Sequence, residues 1–291
     1  MPTHDVAVLG LGQMGSRYAQ RLIQAGLKVI VWNRTPNRSE AFACTEASVA
    51  TSPADAAEAA EVLIAALENA AAFSASLLTV DALSQIGPHH LVIDTGTIHP
   101  RDSRSNHRIL HQNGAGYLDA PVSGGTRGAA NGTLTILVGG SRADFERARP
   151  MLEILGKPHL LGPNGAGHIA KLVNQAIVAV TIGAVAEGLF LAERAGLDLR
   201  QLVGALAGGF ADSRILQEHG DRMIRRDFLP GGTNRIFLKD LDAIRALAEE
   251  LSTELPLTAI SRDAFAELVA TGYSEHDHSS YFEYLDLLNG V

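Results

Sequence analysis

The residues with the clearest capacity for chemistry gather at one point in the chain. His168, Lys171, Asn174 and Gln175 are spaced three and four apart, so any helix carrying them presents them on one face. Lys171 stands among Ile169, Ala170, Leu172 and Val173, and an ammonium is costly to bury in such company unless something needs it there. Burial would also bring it within range of proton transfer near neutral pH, the condition for a general acid or base. The alternative is a lysine that snorkels from a helix end. For His168, tuning of this site and capping of the helix are the two readings, with capping preferred.

Two further stretches offer complementary chemistry. Tyr117 to Val122 reads as a strand that ends in Ser123-Gly124-Gly125, which supplies a hydroxyl and unhindered backbone N–H groups suited to a small carboxylate. An ordinary glycine-rich loop is the other reading. Near the start, Gly10-Leu11-Gly12-Gln13-Met14-Gly15 follows the apolar run Asp5–Leu9 and precedes a helical pattern from Ser16 to Ala25. Strand, glycine turn and helix stand in the order of a dinucleotide-binding fingerprint, in which the glycines admit a pyrophosphate to the helix N-terminus.

About 20 residues past such a turn an acidic residue ordinarily receives the ribose 2′-hydroxyl; here the strand Lys28–Trp32 runs instead into Asn33-Arg34-Thr35. A guanidinium beside a hydroxyl suits a 2′-phosphate, so NADP(H) is favoured over NAD(H). A solvated turn is the alternative.

These groups must be held by two kinds of element. Strands near Ser48–Thr51, Val62–Leu67 and His90–Asp94 alternate with helical stretches, one opened by Ser52-Pro53 and one spanning Ala71 to Ile86. Such alternation predicts an α/β fold with a doubly wound, Rossmann-type parallel sheet over residues 1–163. Ligands bind such sheets beyond the carboxyl ends of the strands, which adds Leu67, Glu68 and Thr97 to the expected cofactor contacts; Thr97 with Pro100 could equally open a helix. From Gly165 to Ala195 one apolar helix of roughly 30 residues, about 45 Å long, should join this domain to an all-α domain completing residues 164–291. Further helices are expected at Leu199–Leu206, Ser213–Arg226, Asn234–Leu251, Leu257–Thr271 and Ser279–Leu288.

Composition narrows the function classes. The 291 residues are 46% apolar and 19% charged with a net charge of −8, which gives no basic face for nucleic acid or anionic lipid. The strand pattern beginning at Asp5 leaves no room for a signal peptide, and the longest uncharged apolar run falls short of a bilayer span. With Cys44 as the only cysteine, no intrachain disulfide is expected and a cytoplasmic setting is natural. The apolar helix is too long for the helical domain to cover, so a homodimer or homotetramer is expected. His276-Asp277-His278 is read as a turn capping the last helix, with no metal.

Taken together, Gly10–Gly15, Asp119-Ala-Pro-Val-Ser-Gly-Gly125 with Gly132-Thr-Leu134, Gly165-Ala-Gly-His-Ile-Ala-Lys171 and Lys239-Asp-Leu241 resemble, in order and spacing, the motifs of the β-hydroxyacid dehydrogenases. The resemblance covers essentially the whole chain. It implies that Lys171 is the general acid/base, with Ser123 and Gln175 in the catalytic set. It implies that Ser123, Gly124 and Gly125 hold a substrate carboxylate, that Asn174 and Asp240 lie with the substrate, and that Lys239 lies by the cofactor.

The family usually carries Asn where Gln175 stands and Ser where Gly96 stands; both departures bear on substrate identity. The expected activity is NADPH-preferring interconversion of a small β-hydroxyacid and its semialdehyde or keto acid. Imine reductases resemble this fold but carry other residues where Lys171 stands. A module that binds NADPH without turnover is the remaining rival.

Overall fold

The computed structural model describes residues 2–43 and 45–290; Cys44, on which the disulfide expectation rests, lies outside the described residues. The first part of the chain runs β1 (Val6–Leu9), α1 (Gly15–Gln24), β2 (Val29–Trp32), α2 (Pro36–Glu40), β3 (Ser48–Val49), α3 (Pro53–Ala59), β4 (Val62–Ala65), α4 (Ala70–Leu77), α5 (Val80–Gln85), β5 (Leu91–Asp94) and α6 (Pro100–Gln112). It continues through β6 (Gly116–Asp119), β7 (Val122–Ser123), α7 (Gly125–Asn131), β8 (Leu134–Gly139), α8 (Arg142–Leu155) and β9 (Gly156–Gly162) into the long α9 (Ala166–Arg194). Five helices follow: α10 (Leu199–Leu206), α11 (Arg214–Arg225), α12 (Asn234–Glu250), α13 (Pro256–Ala270) and α14 (Tyr281–Asn289), the last preceded by a 3-10 turn at His278–Ser280.

The strands form a sheet in the order β3-β2-β1-β4-β5-β6-β8-β7, with β9 paired to β8. The six strands from β3 to β6 are parallel, whereas β8 runs antiparallel to β6 and β7. Both faces are covered, and β1 shows why its sequence is continuously apolar. Val6 and Val8 pack with Tyr18, Leu22 and Leu152 on one side; Ala7 and Leu9 pack with Ala56, Phe73 and Leu77 on the other. The doubly wound α/β expectation holds.

Local chemistry explains several departures from the sequence reading. The expected helix over Ala71–Ile86 is two helices, because Thr79 takes an extended backbone and its side chain accepts from the Ala82 N–H, opening α5 afresh. After Ser123-Gly124-Gly125 the chain enters α7, not a loop. Gly124 and Gly125 take φ of 126° and 60°, values that a side chain resists.

The chain divides into two compact units between Lys171 and Leu172, inside α9; the sequence reading set the boundary ahead of that helix. The second unit has its own core, in which Leu172, Ala179, Ile182, Ala186 and Leu189 of α9 meet Phe237, Leu241, Phe265, Phe282 and Leu285.

Taken whole, the 29 residues of α9 are long and apolar enough to cross a membrane by length and composition, with a mean hydropathy of 1.8 over 18 residues. Its longest uncharged run, Leu172–Ala186, is shorter than the roughly 20 residues of a bilayer span. The core contacts of α9 give its apolar character another cause.

Candidate functional site

The turn between β1 and α1 shows what each glycine permits. A Cβ on Gly10 would lie 2.5 Å from the Ala66 carbonyl oxygen, and one on Gly15 would lie 1.9 Å from that of Gly10; the backbone there is packed too tightly for any side chain. At Gly12 the nearest atom is Nη1 of Arg38, at 3.9 Å. The middle glycine thus opens onto free space with a guanidinium at its edge. No side chain caps α1 at Met14; the Ser16 and Arg17 N–H groups already donate to the Gly12 and Met14 carbonyls, so an anion would meet the glycine turn itself. Asn33 Oδ1 accepts from the Leu11 N–H at 2.8 Å, and its Nδ2 donates to the Thr35 carbonyl at 2.9 Å, which ties the end of β2 to the glycine turn. Arg34 and Thr35 are exposed beside it.

Beyond β4 and β5, Leu67 is half-buried, Glu68 exposed and Thr97 half-buried. The departure at Gly96 has a steric cause: a Cβ there would sit 2.7 Å from the Leu67 carbonyl oxygen. Two loops touch backbone to backbone, and serine does not fit.

The start of α9 is fixed by a residue at the end of β6. Asp119 is fully buried, and its carboxylate accepts from the Gly165 N–H at 2.7 Å and the His168 N–H at 3.0 Å. Burial pushes its pKa up, but the His168 side chain and these two N–H groups outweigh burial and hold the carboxyl below its usual range. A Cβ on Gly139 or Gly167 would strike this carboxylate, at 2.6 and 2.9 Å. His168 is also buried; its Nε2 lies 3.2 Å from the Gly96 carbonyl, so that nitrogen carries the hydrogen. The imidazole therefore braces the helix start against the loop after β5.

One turn later Lys171 is 9% exposed. Asp119 also leads, four residues on, into the half-buried Ser123 at the end of β7. Gly125 opens onto free space, with nothing within 4 Å of the position a side-chain methyl would take. One strand end thus leads to the Ser123 turn and anchors the helix of Lys171.

In the second unit the remaining expected residues form one polar chain. Asn174 donates to Gln175 Oε1 at 3.0 Å, and Gln175 Nε2 donates to Asp240 Oδ2 at 2.6 Å. Lys239 Nζ lies 3.0 Å from Asp240 Oδ1, and Asp240 is buried. The extra methylene of Gln175 is spent in reaching this carboxylate.

His276-Asp277-His278 separates: His276 bonds Glu283 at 3.0 Å, while Asp277 and His278 gather with His219, donor atoms within 4.8 Å of one another. The sequence reading saw no third ligand because His219 lies on a different helix. Yet Asp277 already pairs with Arg222 at 3.1 Å and accepts from the N–H groups of Gly231, Gly232 and Ser279. The Arg222 guanidinium pairs with one carboxylate oxygen while His219 faces the other at 3.7 Å, and Asp277 caps the turn before α14.

The sequence reading missed Arg38 and Asp119. Arg38 lies in the last turn of the short α2, where no local pattern singles it out, and Asp119 had no signal beyond its place in a motif.

Comparison with known proteins bears on the whole chain. Residues 5–174 match the model of the NAD binding domain of 6-phosphogluconate dehydrogenase, and residues 165–285 match that of the NAD-binding of NADP-dependent 3-hydroxyisobutyrate dehydrogenase. The chain is 38% identical over 282 residues to 2-hydroxy-3-oxopropionate reductase of Escherichia coli (strain K12), covering 96% of each chain. It is similar to the solved structure of Mycobacterium tuberculosis 3-hydroxyisobutyrate dehydrogenase with L-serine, at 31% identity and a TM-score of 0.88, covering 98% of this chain and 99% of that one. An imine reductase from Pseudomonas sp. shares the fold, at 24% identity and a TM-score of 0.64 over 97% of this chain and 99% of that one.

Proposed function

The chain belongs to the β-hydroxyacid dehydrogenase family of NAD(P)-dependent oxidoreductases, and from that premise we propose that it interconverts a small β-hydroxyacid and its semialdehyde or keto acid, with NADP(H) as cofactor and Lys171 as general acid/base. The observation that carries this reading is the burial of Lys171 one turn past a helix start pinned by Asp119.

The nicotinamide group, when bound, supplies or accepts the hydride. The open face at Gly12 and the uncapped start of α1 suit its pyrophosphate, and Arg34, Thr35 and Arg38 would receive a 2′-phosphate. Ser123 and the Gly124 and Gly125 amides would hold the substrate carboxylate. As a carbonyl is reduced, negative charge grows on its oxygen; the Lys171 ammonium stabilises that charge and gives up its proton. In the oxidising direction the neutral amine takes the hydroxyl proton. Gln175 is held by Asp240 and Asn174, so its part is to fix the helix face that follows Lys171.

We extend the reading to assembly. On α9, Val173, Ile177 and Leu191 are 54%, 62% and 71% exposed in the single chain, and a second copy covering them would make a homodimer, or a homotetramer built from two.

The test compares NADPH oxidation over glyoxylate, succinic semialdehyde, 2-hydroxy-3-oxopropionate and a cyclic imine, in the wild type and in Lys171→Ala. Turnover of an aldehyde acid, lost in the variant, supports the proposal. Turnover of the imine alone, or turnover indifferent to Lys171, sinks it.

A further inference from the structure

The face of α6 away from the sheet carries a feature that the proposed reaction does not use. Arg101, Arg104 and Arg108 recur at intervals of three and four along α6, a spacing that stacks them on one side of a helix. With His107, Pro163 and Asn164 they line an open surface depression of about 560 Å³. The helix contains one acid, Asp102, and it lies 3.9 Å from Arg101. Among the described residues, Arg104 and Arg108 have no carboxylate within ion-pair distance. In a chain with a net charge of −8, such a concentration of unneutralised guanidinium groups in a concavity is a local reversal of sign.

The far wall is rigid. Asn164 donates from Nδ2 to the Tyr117 carbonyl at 2.9 Å, so the end of β6 sets its position. Gly165 takes φ of +95°, and a Cβ there would lie 3.0 Å from Nε of Arg104; a side chain at 165 would push the guanidinium aside. His107, which also lines the depression, has its Nδ1 buried with no hydrogen-bond partner.

We propose that Arg104, Arg108 and Asn164 form a second anion site, separate from the glycine turn, for a small molecule bearing a phosphate group. The volume lies in the range of small-molecule sites, roughly 300–1,000 Å³, so a compact ligand fits the concavity better than a flat acidic protein face. Two guanidinium forks one helical turn apart match the tetrahedral oxygens of phosphate, which they can pair with in bidentate fashion. Asn164 adds a fixed amide, and Arg101 at the rim adds charge.

The test is calorimetric titration of the full chain saturated with NADPH, so that the 2′-phosphate position is already filled. One arm uses inorganic phosphate and the other glycerol 3-phosphate, each against potassium chloride of equal ionic strength. Saturable binding of either probe is expected, weakened at least tenfold by Arg104→Ala or Arg108→Ala and less by Arg104→Lys, which keeps the charge but loses the fork. Binding of inorganic phosphate alone points to the free ion, and tighter glycerol 3-phosphate binding points to an organic phosphate. Absence of saturable heat from both probes in the wild type, or equal binding in both alanine variants, overturns the proposal. Circular dichroism and NADPH affinity, expected unchanged in these surface variants, report on folding. The measurement does not depend on turnover, so it stands or falls apart from the proposed reaction.

Discussion

At the scale of single residues, the strongest expectations concern Lys171, Gly96 and the two arginines by the glycine turn. Replacing Lys171 by alanine should lower kcat by about two to four powers of ten, the usual contribution of a positioned acid or base, with NADPH affinity retained in a fluorescence titration. Arg34→Ala and Arg38→Ala should each cut the NADPH-over-NADH ratio of kcat/KM by about tenfold, since a charged hydrogen bond contributes about 1.5–3 kcal/mol. Equal losses with both cofactors would mean that neither arginine reads the 2′-phosphate. Gly96→Ser restores the residue usual in the family, yet a Cβ there collides with the Leu67 carbonyl. It should cost about 1–3 kcal/mol in urea unfolding, and an unchanged midpoint would show that the two loops can part.

At the scale of elements, the anchoring of α9 by β6 matters most. Asp119 satisfies two N–H groups that a helix start otherwise leaves open. Asp119→Asn keeps the shape but removes the charge, and should cost about 1–3 kcal/mol near neutral pH. The pH dependence follows from direction. Asp119 and Asp277 both titrate below the ordinary carboxylate range when folded, so their stabilisation is fully present above the unfolded value, about 3.9. It is lost as the pH falls from there toward their folded values. Urea unfolding should therefore hold steady on this account from pH 6 to about 4 and then fall steeply toward about pH 2 in the wild type, with a shallower fall in either asparagine variant; parallel curves would refute the assignment.

The elements were mostly legible in the sequence, because strand and helix periods are local. The break at Thr79 and the helix after Gly125 were not: each depends on one residue's backbone conformation, which a hydrophobic period does not register.

At the scale of the whole molecule, the exposed stripe on α9 predicts association. The wild type should sediment as a dimer or larger at micromolar concentration, and Ile177→Glu should shift it to monomer while leaving the far-ultraviolet spectrum intact. A monomeric wild type would remove the case for a second copy.

The amino-acid order by itself determined the doubly wound sheet, the glycine turn, the long helix and the identity of Lys171 as the group to watch. These follow from spacings of two, three and four residues and from glycines at a fixed interval, all of which act within a few turns of chain. The three-dimensional fold decided the rest: that Asp119 grips the start of α9 from 46 residues away, that Arg38 rather than Arg34 stands over Gly12, and that His219 joins Asp277. Such pairings depend on which strand ends and helix starts the folded sheet brings within hydrogen-bond reach, and no local pattern carries that information.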